Sequence, residues 1–117
     1  MAIPRTHRLK GTNEFQKVMN KGRKFVFNEL ILFSLIEKDI QILQIGIIAS
    51  KKVGNAVERN RAKRLVREAF KTILSDLVLN QKIVIICRST ILSAKSPKIH
   101  ELIDSIDYLK KPAPVKN

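Results

Sequence analysis

The sequence predicts a single α+β domain in which one β-sheet of about four strands packs against helices. Apolar runs and one long amphipathic stretch follow in the order helix, strands, long helix, strand, helix. The chain has 117 residues, 44% of them hydrophobic, which is enough for one modest core. We therefore expect one domain over residues 1–117, with a core at about 5–109 and a loose tail at 110–117.

The first half of the chain is predicted to form a helix at about 13–20 and strands at 25–36 and 41–50. Both strand segments are rich in Ile, Leu, Val and Phe, and their alternation is imperfect. At least part of the sheet should therefore be covered on both faces. The connection at 37–39 is short and polar, which predicts that the two strands form an antiparallel hairpin.

The second half is predicted to hold a long helix at about 56–77, a strand at 82–88 and a last helix at 97–109. Gly54 can adopt the turn before the long helix, and Asn55 with Glu58 is spaced as a capping box. The last helix has a proline in its first turn and one apolar stripe along its length.

The positive charge is concentrated in two segments. The net charge is +13. Residues 1–24 hold seven Lys or Arg against one acid, residues 51–71 hold eight against two, and the remainder is nearly neutral. This distribution favours a polyanionic partner. A membrane surface fits less well, because no amphipathic helix rich in Trp or Phe accompanies the charge and the apolar runs are too short to span a bilayer.

The long helix separates an apolar face from a cationic one. The predicted core face is Ala62, Leu65, Val66, Ala69 and Ile73. The cationic stripe is Arg59, Lys63, Arg67 and Lys71, extended by Asn60 and Arg64, with Arg61 on its flank. Few acids stand where they would pair with these cations, and like charges four residues apart repel, so the stripe is typical of a phosphate-binding surface. The alternative is an ordinary solvated helix face.

No set of residues indicates a protein active site. The acids are scattered, His7 and His100 are isolated and predicted to be at the surface, and there is no Gly-rich phosphate loop. We expect neither a small-molecule substrate nor a metal bound by the protein alone. Cys87 is the single cysteine, which suits a reducing cytoplasm, and its apolar surroundings predict a buried, inert thiol.

Residues 50–70 resemble the signature of the bacterial ribonuclease P protein family. The most specific part is Arg59-Asn60-Arg61, followed by Lys63-Arg64 and Arg67. The segments Phe15-Gln16-Lys17-Val18 and Lys21-Gly22 are also similar to the family. The resemblance covers roughly residues 5–108.

The resemblance implies a protein subunit of a ribonucleoprotein in the cytoplasm. In this family the RNA subunit cleaves precursor tRNA to make the mature 5′ end, and it uses magnesium held largely by RNA. The protein binds the catalytic RNA and the 5′ leader of the precursor. The resemblance also implies a left-handed strand–helix–strand crossover, whereas the general rule predicts a right-handed one.

The resemblance assigns two sets of residues to RNA contacts. Those expected to bind the catalytic RNA are Arg59, Arg61, Lys63, Arg64 and Arg67. Those expected along the leader are Phe15, Met19, Phe33, Lys51, Lys52 and Asn60. Met19 stands where relatives often have an aromatic residue, and Phe33 where the family also allows Tyr.

Two other classes of protein remain open at this point. A ribosomal or other structural RNA-binding protein would account for the charge equally well. A DNA-binding helix-turn-helix protein would require two short helices joined by a tight turn, whereas a strand and a loop precede the basic helix here. Reconstitution with a ribonuclease P RNA would separate these alternatives.

Overall fold

The computed structural model of the chain describes residues 8–38, 43–94 and 96–110. The helices are α1 (Thr12–Lys21), α2 (Ala56–Ile73) and α3 (Ser96–Asp104). The strands are β1 (Arg23–Val26), β2 (Leu30–Ile36), β3 (Gln44–Ile48) and β4 (Gln81–Cys87). The predicted loose tail lies outside the described residues except for Lys110.

The four strands form one mixed sheet in the order β1-β2-β4-β3, which confirms the predicted α+β class. The predicted hairpin between residues 25–36 and 41–50 is wrong, because β3 pairs with β4, in parallel, and not with β2. Six of the seven residues of β4 are buried, so this strand takes a central position. The chain reaches it from β3 through α2, and the left-handed sense of this crossover stays a prediction.

The predicted strand at 25–36 is two strands joined by a tight turn. β1 and β2 pair as an antiparallel hairpin, with Val26 opposite Ile31. The backbone N–H of Phe27 donates to the carbonyl of Leu30 at 2.9 Å and closes the turn. Asn28, a residue that favours turns, interrupts the apolar run at this point.

The two later helices end before their predicted limits. α2 ends at Ile73 and α3 at Asp104, and short 3₁₀ turns follow at Leu74–Asp76 and Asp107–Leu109. A hydroxyl group competes for backbone carbonyls near each end: Thr72 Oγ1 donates to Ala69 and Ser105 Oγ to Leu102. Such bonds favour termination over continuation of a helix.

The main core lies between the sheet and the pair α2 and α3. Four strand side chains on this face are fully buried against the helices; they are Leu30, Leu32, Ile83 and Ile85. Phe70 is fully buried although the helical pattern did not place it on the apolar face, and Leu65, which the pattern did place there, is only half-buried. The large ring of Phe70 reaches the core from the margin of the face.

The opposite face of the sheet carries a second, smaller core under α1. Its buried members are Leu9, Val18, Phe33 and Val84. α1 covers only part of this face, and half-buried apolar residues surround the contact. The prediction that part of the sheet is covered on both faces is therefore confirmed.

The start of α2 has the predicted capping box. The Glu58 N–H donates to Asn55 Oδ1 at 2.9 Å, and the Asn55 N–H donates to Glu58 Oε1 at 3.0 Å. Gly54 precedes the cap with a φ of 149°, and a Cβ atom at this position would lie 2.4 Å from Glu58 Oε1. Glycine is therefore required both by the backbone conformation and by the returning Glu58 side chain.

Gly54→Ala should lower the free energy of unfolding by about 2 kcal/mol, since it adds backbone strain and displaces the cap. Gly11→Ala is the matched control, because Gly11 also has a positive φ, of 90°, and a Cβ there would meet nothing within 4 Å. Urea unfolding measures both variants. Equal losses would show that the contact with Glu58 contributes nothing.

Candidate nucleic-acid interface

The cationic side of α2 is accessible to solvent. Burial of Ala62, Val66, Ala69 and Ile73 against the core turns the opposite side of the helix outward. The five cations that the family resemblance assigned to contacts with the catalytic RNA are exposed or half-buried; they are Arg59, Arg61, Lys63, Arg64 and Arg67. A chain of guanidinium and ammonium groups is thus presented along about three turns of one helix.

Carboxylates of the described residues do not neutralise this surface. Within residues 8–38, 43–94 and 96–110, none of the cations of α2 lies within 4 Å of a carboxylate oxygen. Of the two acids on α2, Glu58 is engaged in the capping box and Glu68 is exposed without such a pairing. The repulsion between like charges four residues apart is therefore not relieved by the described part of the protein.

An apolar strip runs along the part of the sheet that α1 leaves uncovered and includes two side chains of α1 at its border. We use this name for Phe15, Met19, Ile31, Phe33, Ile48 and Ile86. Cross-strand pairing aligns these residues in rows, with Phe33 opposite Val84 and Ile31 opposite Ile86. α1 borders the strip through Phe15 and Met19, and both side chains are half-buried.

The ring of Phe15 lies directly over the backbone of Gly46 in β3. A Cβ atom at Gly46 would be 2.4 Å from Phe15 Cζ, so any larger residue would displace the ring. Phe15 also borders a small depression together with Arg67 of α2. The cationic side of α2 and the apolar strip therefore adjoin at this depression, which Arg67 and Phe15 both line.

Lys52, in the turn before α2, borders the other end of the strip. Lys51 and Lys52 are exposed, and Lys52 lines a depression whose floor includes Ile31 and Ile86. Arg88 lines the same depression, and its Nη1 donates to the Phe27 carbonyl at 3.1 Å. An apolar floor with cations at its margin can accept a base and its phosphate together.

The other residues predicted to contact the leader, Phe33 and Asn60, contribute less accessible surface to the apolar strip or lie outside it. Phe33 is only 8% exposed, and the Lys24 ammonium lies 5.8 Å from its ring centroid, so little of the ring is accessible. Asn60 is exposed on α2. Gly46, Lys24 and Arg88 were not among the residues predicted from the sequence, although a glycine inside a strand often marks a close approach of another group.

A network of ion pairs holds α1 on the sheet. The Lys82 side chain is 8% exposed, and its Nζ lies 3.2 Å from Glu14 Oε2 and 3.1 Å from Glu37 Oε1. Lys17 of α1 donates to Glu37 Oε2 at 2.9 Å. The bond from Lys17, followed by that from Lys82, lowers the pKa of Glu37. Burial disfavours the Lys82 charge, but hydrogen bonds to Glu37 and Glu14 outweigh it and raise the pKa of Lys82.

The described residues contain no cluster suited to catalysis by a metal. No three His, Cys, Asp or Glu groups among them converge to hold a metal ion. Cys87 is buried, as predicted, and burial raises the pKa of its thiol to about 11. His100 is half-buried on α3, and His7 lies outside the described residues.

Comparison with known proteins accounts for this combination of fold and charge. The family model described as Ribonuclease P matches residues 3–110. The chain belongs to the ribonuclease P protein family. No helix within the described residues has the length and apolar character needed to cross a membrane.

Relatives and solved structures agree with the family assignment. The chain is 32% identical over 109 residues to the ribonuclease P protein component of Listeria innocua, covering 93% of this chain and 89% of the relative. It is 42% identical over 84 residues to that of Brevibacillus brevis, covering 72% and 67%. The Staphylococcus aureus RNase P protein structure superposes with a TM-score of 0.76 at 31% identity, over 86% of this chain and 91% of that one. The Thermotoga maritima RNase P protein, at 21% identity and TM-score 0.74 over 89% and 98%, supports the fold alone.

The ion pairs of Glu37 should make stability depend on acid pH. Because its pKa is lowered in the folded protein, its contribution is complete above its ordinary value of 4.5 and is lost as the pH falls through the folded value. We expect the urea midpoint of the wild type to exceed that of Glu37→Gln at about pH 6, and the difference to shrink towards about pH 3. A constant difference between the two proteins would contradict this assignment.

Proposed function

We propose that this chain is the protein subunit of a ribonuclease P ribonucleoprotein, and that it binds both the catalytic RNA and the 5′ leader of precursor tRNA. The RNA subunit carries out the cleavage that produces the mature 5′ end. The observation that supports this proposal is the uncompensated cationic side of α2 adjoining an apolar strip. Membership of the ribonuclease P protein family gives the proposal its specific form.

The cationic side of α2 is proposed to bind phosphates of the catalytic RNA. Guanidinium groups form paired hydrogen bonds with phosphate oxygens and keep their charge at any ordinary pH. Each phosphate neutralised releases condensed counterions and relieves repulsion between neighbouring cations of the helix. The proposed contacts are those of Arg59, Arg61, Lys63, Arg64 and Arg67.

The apolar strip is proposed to receive the single-stranded leader. Bases of a duplex are stacked inside it and cannot reach such a surface, whereas the bases of a single strand can lie on Phe15 and Met19. Lys51 and Lys52 at the margin would hold the backbone of the same strand. Asn60, at the edge of the strip, and Phe33, the least exposed member of the strip, are proposed to make smaller contributions.

Magnesium in the proposed holoenzyme is assigned to the RNA. The cations of the protein reduce the charge that magnesium must otherwise screen, so the protein should have its largest effect on assembly at low magnesium. What the chain itself does is bind, orient and neutralise RNA.

Reconstitution tests the proposal directly. The purified chain is added to a bacterial ribonuclease P RNA at low magnesium, and removal of the leader from precursor tRNA is measured. Cleavage should be stimulated, with the RNA alone and the chain alone as controls. A structural RNA-binding protein without this function would bind RNA but leave cleavage unchanged. Preferential binding to duplex DNA would favour a helix-turn-helix protein, which the strand and turn before α2 already make a poor match.

Arg59→Glu combined with Arg64→Glu should weaken binding to the catalytic RNA by about 100-fold or more, because two charge-assisted contacts contribute about 1.5–3 kcal/mol each. The control, Lys38→Glu with Lys98→Glu, changes the net charge equally at exposed positions away from α2. Filter binding at moderate salt compares the two pairs. Equal losses would mean that net charge, and not this helix face, determines affinity.

Phe15→Ala should weaken binding of leader-bearing tRNA to the holoenzyme by about fivefold or more, since stacking of a base on an aromatic ring contributes about 1–3 kcal/mol. Binding of mature tRNA, which lacks the leader, should change little. Equal losses for the two RNAs would indicate that Phe15 only supports the second core.

A further inference from the structure

We propose that Lys82 is a positioning residue for the leader-binding surface: its ion pairs with Glu14 and Glu37 hold α1 so that the Phe15 ring lies over Gly46. This inference rests on the proposed function, in which Phe15 contacts the leader. Lys82 is itself almost completely buried and cannot bind RNA. Its effect on the leader must therefore pass through α1.

Apolar packing alone holds α1 weakly. Val18 is the one residue of this ten-residue helix that is buried. Phe15 and Met19 add half-buried apolar contacts at the edge of the second core. Because the hydrophobic effect is not directional, such packing lets α1 pivot about Val18. The ion pairs provide a second attachment, one turn before Val18, where Glu14 meets Lys82. Two attachments a turn apart determine both the position and the rotation of α1.

The network connects three elements at one point. Glu14 belongs to α1, Lys82 to β4, and Glu37 follows the last residue of β2. Lys82 Nζ lies 3.2 Å from Glu14 Oε2 and 3.1 Å from Glu37 Oε1, and Glu37 also accepts a bond from Lys17 of α1. An apolar residue at position 82 would preserve burial but not these directional contacts.

The network lies next to the Phe15 ring in the structure. Glu14 and Phe15 are consecutive in α1, and in the sheet Lys82 pairs with Gln44 while Val84 pairs with Gly46. Lys82 and Val84, the partner of Gly46, are two residues apart in β4. Their side chains therefore lie next to each other on the same face of the sheet. The ring approaches Gly46 so closely that a Cβ would be 2.4 Å from Cζ. A small rotation of α1 would move the Phe15 ring away from Gly46.

The first test measures the position of the ring in the free protein by NMR. A ring lying over a glycine shifts that glycine's Hα resonances upfield, and we expect this shift at Gly46 in the wild type. It should be largely lost in Lys82→Met and in Glu14→Ala, the latter a substitution that favours the helix and leaves the sheet intact. Ile83→Val, on the same strand but facing the main core, should retain it. Retention of the shift in both network variants would overturn the proposal.

The second test measures the consequence for RNA. In the reconstituted holoenzyme, Lys82→Met and Glu14→Ala should reduce the preference for leader-bearing over leaderless tRNA by about fivefold or more, the effect expected from loss of one base–ring stack. Affinity for the catalytic RNA should be unchanged, because α2 is not involved. If the wild type shows no preference for the leader, the proposed function fails. If the wild type shows it and both variants keep it, only the positioning role of Lys82 fails.

Discussion

Like charges four residues apart along α2 repel one another, and the described part of the protein leaves this repulsion unrelieved. The rest of the structure makes such a helix possible. The capping box and Gly54 secure its first turn, and burial of its apolar face against the sheet and α3 supplies the stability that the charges oppose. The helix is therefore stable enough to present cations that the described residues do not neutralise.

The two faces of the sheet differ in how completely helices cover them. One face packs against α2 and α3 and forms the main core, while the other is covered only partly, by α1. The incomplete cover leaves the apolar strip accessible, with Lys52 at one end and the depression lined by Phe15 and Arg67 at the other. The cationic side of α2 and the apolar strip thus adjoin at one edge, where the proposed function places the catalytic RNA and the leader side by side.

Features determined by neighbouring residues were predictable from the sequence, and features determined by distant pairing were not. The capping box at Asn55 and the division of α2 into two faces follow from local spacing. The parallel pairing of β3 with β4 joins segments more than thirty residues apart, and a short polar connection wrongly favoured a hairpin. The Phe15–Gly46 contact and the Lys82 ion pairs depend on that register, so no local pattern indicates them. The individual RNA contacts come from the family resemblance and stay predictions.

The salt dependence of binding to the catalytic RNA tests the central claim most directly. If the cationic side of α2 neutralises about five phosphates, the logarithm of the association constant should fall with the logarithm of salt concentration with a slope of about −3 to −5. Such a slope would show that release of counterions from RNA supplies the affinity. A slope shallower than about −1 would contradict the claim that this helix finds its counter-charge on RNA.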